Sequence, residues 1–324
     1  MPKPRCEIVS LDGFTLLPLY FPLCQTSFLC GTENGISYER RRDWIEERIL
    51  QLSQIFAIDV CAYAVMSNHY QVVLHVNQEK AATWDLKTLF QQWSQLFSLP
   101  PLVERYVKNE TMDAALLAVV EKYAKKYRQQ LTDISWFMRT LNEPIARRAN
   151  KEDSCTGHFW ESRFSSTLLA DEAAVLACMV YVDLNPVRAN MAPTPESSDY
   201  TSIKARIDCP EKTEQLMSFL LKKTDQKPDT SKTSIPFSWP DYLQLIDWTG
   251  RAIRDDKRGS ISQDIPPILQ RLNLDVNEWL KQHHQLESYY PVFMGHWKQL
   301  EVVCQALKRK WCKGSARSRL LFGT

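Results

Sequence analysis

Glycine is scarce in this chain of 324 residues. Its nine glycines fall well below the roughly 7% of ordinary proteins. There is no GxGxxG and no GxxxxGK followed by Ser or Thr, which argues against a loop that cradles a nucleotide cofactor. GxSxG is missing too, and with it the nucleophile elbow of serine hydrolases. Nine cysteines are scattered without a CxxC pair. A structural zinc centre is therefore not expected, and the thiols read as reduced and mostly buried. No apolar run reaches the ~18 residues of a membrane span. The opening Met1-Pro2-Lys3-Pro4-Arg5 leads into an apolar stretch at 14–23 that two prolines interrupt, so no signal-peptide core is read. The expected location is cytoplasmic, with no membrane partner.

A net charge of +2 excludes a polycation, but the charge is uneven. Lys122, Lys125, Lys126 and Arg128 form one basic cluster, and Arg147, Arg148 and Lys151 a second. Six basic residues and no acid lie between 308 and 319. Each cluster reads either as a phosphate-binding patch or as a solvated helix face. Apolar content of 44% and charged content of 24% fit a soluble globular protein. The length suffices for two domains, each with a core.

Spacing organises the rest. Residues 14–29 predict a strand entering a turn. Residues 38–56 predict a helix with Ile45, Ile49, Leu52 and Phe56 on one face. A strand at 58–66, a tight turn at Ser67-Asn68 and a returning strand at 69–76 follow. Thr83 is expected to cap a helix that carries Leu86, Phe90, Trp93 and Phe97 and stops at Pro100-Pro101. Two further helices, 113–131 and 133–148, read as an insertion at about 108–150. An extended segment at 157–169 precedes a helix at 171–184. Polar residues at 222–236 mark a linker, and helices are expected at 242–254, 266–272, 276–283 and 292–310. The fold class is α+β: a small antiparallel sheet with helices on one face, a helical insertion and an all-helical C-terminal domain. The expected boundaries are 1–207, a linker region at 208–236 and 237–324.

Two segments carry chemistry. Along the strand at 69–76, alternation puts His69, Gln71, Val73 and His75 on one face and Tyr70, Val72, Leu74 and Val76 on the other. The apolar set is expected to meet the helices, which leaves the polar set on an open face. His69 and Gln71 are then candidate metal ligands, or an incidental polar strand face. Tyr181 and Asn185, four residues apart at a helix end before Pro186, offer a phenol beside an amide. They are equally a core tyrosine and a capping asparagine. A phenol near pKa ~10 is a poor nucleophile at neutral pH. A divalent cation corrects that by polarising the phosphate and favouring the phenolate. Amide oxygens suit Mg²⁺ or Mn²⁺, and imidazole is better tolerated by Mn²⁺.

Three stretches occur in order: Tyr63-Ala64-Val65-Met66-Ser67-Asn68-His69-Tyr70, Gly157-His158-Phe159-Trp160-Glu161-Ser162-Arg163-Phe164, and Tyr181-Val182-Asp183-Leu184-Asn185-Pro186-Val187-Arg188-Ala189. Together they resemble the REP-associated tyrosine transposases, which belong to the HUH superfamily of single-strand DNA nicking enzymes. The resemblance covers roughly 1–207. It implies a ferredoxin-like core, a transposase domain at 1–207, single-stranded or hairpin DNA as partner and no nucleotide cofactor. Tyr181 matches the nucleophile that forms a 5′-phosphotyrosine. His69 matches the first histidine of the metal motif and Asn185 the third metal ligand, Gln71 stands at the position between them, and Mg²⁺ or Mn²⁺ is the implied cofactor.

This chain departs from that pattern at two places. Gln71 stands where the family's second histidine belongs, and the opening strand Tyr20-Phe21-Pro22-Leu23-Cys24-Gln25 lacks the usual histidine and arginine. His158, Trp160, Arg163 and Arg188 are candidate DNA contacts; a packed aromatic strand and a surface ion pair are the competing readings. His283, His284 and His296 read as structural or surface residues. A catalytically inactive DNA-binding protein on the same scaffold is the competing function, and an RNA-binding or helical interaction protein a third. Nothing in the sequence decides the oligomeric state.

Overall fold

The computed structural model describes residues 19–25, 29–33, 36–220, 234–253, 267–290, 292–306 and 315–322. Strand β1 (Leu19–Gln25) is followed by the short pair β2 (Thr32–Glu33) and β3 (Ile36–Ser37), then by helix α1 (Arg40–Ile55). The tight hairpin β4 (Ile58–Val65) and β5 (His69–Val76) comes next. Five helices follow: α2 (Gln78–Thr83), α3 (Leu86–Ser94), α4 (Pro101–Val107), α5 (Ala114–Leu131) and α6 (Ile134–Glu152). Strand β6 (Ser165–Leu169) returns the chain to the sheet. It leads to α7 (Glu172–Asp183), the single turn α8 (Asn185–Arg188), α9 (Ser202–Asp208) and α10 (Pro210–Thr213). The C-terminal region holds α11 (Trp239–Ala252), α12 (Pro267–Arg271), α13 (Val276–Tyr289), β7 (Phe293–Met294), α14 (Trp297–Ala306) and α15 (Ser315–Phe322).

The fold is mixed α+β. The main sheet has the order β4-β5-β1-β6-β7. Strand β1 runs antiparallel to both neighbours, with Leu23 opposite Gln71 and Gln25 opposite His69. The first four strands in that order match a ferredoxin-like sheet. The fifth, β7, is parallel to β6 and comes from the C-terminal region, so that region is not wholly helical as expected.

The chain divides into two compact units: 1–43, 60–75 and 160–324 form one, and 44–59 with 76–159 the other. These limits do not coincide with the expected boundaries at 207 and 237, because the C-terminal helices share a core with the tyrosine helix α7. Every residue of α7 from Ala174 to Asp183 is buried. A helix apolar all round needs cover on all sides. Val73 and Ala64 of the sheet and Tyr242, Leu245 and Trp279 of the C-terminal helices belong to the same core as α7. Hence the sheet face bearing His69, Gln71, Val73 and His75 is not open. Gln71 and His75 are 1% and 2% exposed.

The corner after β6 shows how the C-terminal region is fastened. Asp171 caps α7 by accepting from the Ala174 N–H at 2.8 Å, and it also accepts from the His296 N–H. Gly295 sits at φ +148°, and a Cβ there would lie 2.7 Å from Asp171 Oδ2. Only glycine allows that approach. Thr167 Oγ1 donates to the Tyr290 carbonyl at 2.7 Å.

In the second unit, Asp85 rather than Thr83 caps α3, accepting from the Thr88 N–H at 2.7 Å. Thr83 instead closes the short α2. Pro100-Pro101 opens α4, since proline at a first helical position loses no hydrogen bond. Of the extended segment expected at 157–169, only 165–169 is strand. Most of the expected linker lies outside the described residues. Cys30, Cys61 and Cys178 are buried and lie outside any disulfide. Cys304 is disulfide-bonded, which corrects the expectation of uniformly reduced thiols. No described helix is long and apolar enough to cross a membrane.

Candidate nucleophile and ligand cluster

Five residues expected from sequence meet in the first unit: His69 and Gln71 from β5, Tyr181 from α7, and Asn185 and Arg188 from α8. The helix breaks at Leu184, and Pro186 restarts it as a single turn. That break carries Asn185 to the strand. Its Nδ2 donates to Gln71 Oε1 at 2.9 Å and lies 3.2 Å from His69 Nε2. His69 Nδ1 lies 2.7 Å from Asn68 Oδ1. An amide oxygen only accepts, so Nδ1 carries the proton and Nε2 turns its lone pair into the cluster. Burial, and then the nearby Arg188 charge, push the His69 pKa down to about 4. The imidazole is therefore neutral at physiological pH.

Arg188 organises the other side. Its guanidinium donates to Asn185 Oδ1 at 2.6 Å and to the His283 carbonyl at 2.6 Å. It lies 3.7 Å from the centre of the Tyr181 ring, a cation–π contact. The His283 ring is nearly parallel to that of Tyr181, 6.4 Å away. Trp279 meets His283 edge-on at 4.8 Å. Tyr181 is only 6% exposed. Sequence reasoning missed the part played by α13, because a backbone carbonyl a hundred residues downstream leaves no motif.

The end of α7 is pinned by Asp183, a buried carboxylate also missed from sequence. It accepts from Ser202 Oγ at 2.5 Å, from the Ile203 N–H at 3.0 Å and from the Tyr242 hydroxyl at 2.6 Å. Burial raises its pKa to about 6 against the opposing pull of these bonds. Tyr242 belongs to α11, so one carboxylate joins the tyrosine helix to the C-terminal region.

The remaining expected contacts lie elsewhere. Trp160 meets Tyr70 edge-on at 5.7 Å. Tyr70 points to the opposite side of β5 from His69 and Gln71, so Trp160 is not in the cluster. His158 and Arg163 are exposed. Arg188 holds two neutral oxygens and an aromatic ring.

Among the described residues, no three His, Cys, Asp or Glu side chains group as a metal centre. The cluster supplies one neutral imidazole and two amides instead. His69 Nε2 and Gln71 Oε1 face a common point and fit a divalent cation of the Mg²⁺ or Mn²⁺ type. Asn185 presents its NH₂ to that point and its oxygen to Arg188, so it fits as a ligand only after its amide turns over.

No protein-family model matches the sequence, and no curated protein does. Among solved structures, the chain is similar to one described as the structure of a REP-associated tyrosine transposase bound to a REP hairpin. The identity is 10%, the TM-score 0.36, and the match covers 73% of this chain and 99% of that one. A likeness this distant leaves the functional reading to rest on the residues themselves.

Proposed function

We propose that this chain binds single-stranded or hairpin DNA and cuts and rejoins it through Tyr181, as a metal-assisted transposase-type enzyme. One observation carries the reading. A tyrosine, a cation and three neutral metal-ligand types converge from segments more than a hundred residues apart.

The residues divide the work as follows. Arg188 supplies the positive charge that draws a DNA phosphate to Tyr181. Arg188 is half-buried, while Tyr181 beside it is 6% exposed. A phosphate that takes over Arg188 also uncovers the ring. The phenol oxygen then attacks phosphorus. The Tyr181 O–P bond forms as the bond to the 3′-oxygen breaks, the phenol proton passes to water, and the departing oxygen takes up a proton. The 5′-phosphotyrosine keeps the energy of the diester for a second 3′-hydroxyl, so no nucleotide cofactor is needed. His69 and Gln71, with Asn185 once turned, would hold Mg²⁺ or Mn²⁺, which supplies polarisation of the phosphate and favours the phenolate. Asn68 fixes the His69 tautomer that this requires.

A second reading has its own support. Tyr181 is almost wholly covered, and Asn185 shows its nitrogen to the other two ligands. Both features suit a DNA-binding protein that no longer cuts.

The test is to incubate the protein with labelled single-stranded hairpin DNA and Mn²⁺ and look for a denaturant-resistant adduct. An adduct lost with chelator and in Tyr181→Phe supports the nuclease. Hairpin binding without an adduct supports the second reading.

A further inference from the structure

We propose that the second unit carries a stacking site for unpaired bases of single-stranded DNA, formed by Phe97 and Trp136. The choice of DNA rests on the reading of this chain as a single-strand DNA enzyme; the stacking geometry does not.

Aromatic rings from three helices meet here. Trp93 of α3 and Tyr127 of α5 stack with centroids 4.0 Å apart and planes within 5°. Both are buried, at 6% and 5% exposure, and form a rigid base. Two rings continue from this base to the surface. Phe97 lies 4.7 Å from Trp93, and Trp136 of α6 lies 5.8 Å from it. Their planes stand at 88° with centroids 5.8 Å apart. The pair makes a corner: a flat ring stacked on one turns its edge toward the face of the other. Edge-to-face and stacked contacts are the two arrangements that aromatic quadrupoles favour. Phe97 is 36% exposed, and Trp136 is half-buried.

The charge around the corner selects the occupant. The Arg139 guanidinium, paired with Glu143 at 3.4 Å, stands 5.4 Å from the Trp136 ring centre, where an incoming base would displace it or stack beside it. Lys122 and Lys126 of α5 are exposed and flank Tyr123, whose ring lies 5.9 Å from that of Tyr127. An apolar partner would find no use for these cations. A duplex would match the cations but hides its base faces. A single strand offers free base faces to the rings and phosphates to the lysines.

The test uses the full-length protein and a fifteen-nucleotide oligo(dT). Phe97→Leu and Trp136→Leu keep apolar bulk and remove the ring face. Each is expected to weaken binding about tenfold while duplex affinity stays within about twofold. Oligo(dT) carrying 5-bromodeoxyuridine, irradiated in complex, is expected to crosslink to the peptides holding Phe97 or Trp136. Trp136→Tyr restores a ring and should recover affinity. If it does not, the loss in Trp136→Leu is structural and the proposal falls. Unchanged binding in both leucine variants, or equal weakening for duplex and single strand, also overturns it. Tighter binding of oligo(U) than of oligo(dT) overturns the choice of DNA. The hairpin adduct is read separately. No adduct, with the crosslink and the leucine effects intact, sinks the nuclease reading and leaves the stacking site standing.

Discussion

The Arg188 guanidinium lies over the Tyr181 ring, 3.7 Å from its centre, and the same guanidinium holds Asn185 by its amide oxygen. One side chain thus governs both the exposure of the phenol and the face that Asn185 shows to His69 and Gln71. Its other anchor is a backbone carbonyl of α13. The C-terminal region therefore takes part in the cluster and does not merely adjoin it.

Arg188→Ala should release this arrangement. The His69 pKa, held down in part by the Arg188 charge, is expected to rise from about 4 toward its ordinary value without reaching it, because burial remains the larger cause. An NMR titration of the ring carbons reads the change directly. Hairpin affinity should fall, since a phosphate contact is lost. A His69 titration identical to that of the parent would mean that the cation does not act on the imidazole.

Tyr181→Phe removes a hydroxyl and keeps the ring under Arg188. Hairpin affinity should stay within a few-fold, stability within about 1 kcal/mol, and the covalent adduct should vanish. Adduct formation by this variant would take the nucleophile role away from Tyr181.

Gln71→His places a second imidazole beside His69. Imidazole binds Mn²⁺ better than an amide oxygen does, so calorimetry should show Mn²⁺ affinity rising by about tenfold or more. Equal affinity in parent and variant would mean that position 71 is not a ligand.

Part of this cluster was legible in the sequence, and the physics explains which part. Alternation along a strand is strict, so His69 and Gln71 had to share a face. Pro186 had to break the helix near Asn185. What alternation does not reveal is how many layers cover a sheet. The polar residues at 69, 71 and 75 implied an open face, yet α7 lies there because its own residues are apolar all round and need burial on both sides. Trp160 sits in a suggestive motif, but the parity of Tyr70 places it across the strand from the cluster. Asp85 displaced Thr83 as a cap because both residue types cap helices and only packing chooses between neighbours. Strand β7 is two residues long, too short for periodicity to register.

Asp183 yields a prediction whose sign follows from linkage. Its folded pKa, about 6, stands above the ordinary 3.8, so between these values the native state holds a proton that the unfolded chain has released. Stability from this group is then greatest at low pH and declines as pH rises from about 4 through about 6. In Asp183→Asn, the amide oxygen still accepts from Ser202 and Ile203, and the NH₂ donates to the Tyr242 oxygen. That variant should fold with the decline removed. Asp183→Ala leaves three buried donors without an acceptor and should cost about 3–5 kcal/mol. Melting temperatures of the parent and both variants from pH 4 to 8 make the measurement. A parent and an Asp183→Asn variant with parallel profiles would show that Asp183 does not titrate in this range. The group would then keep one charge state across the range, and its bonds to Ser202, Ile203 and Tyr242 would join α7 to α11 independently of pH.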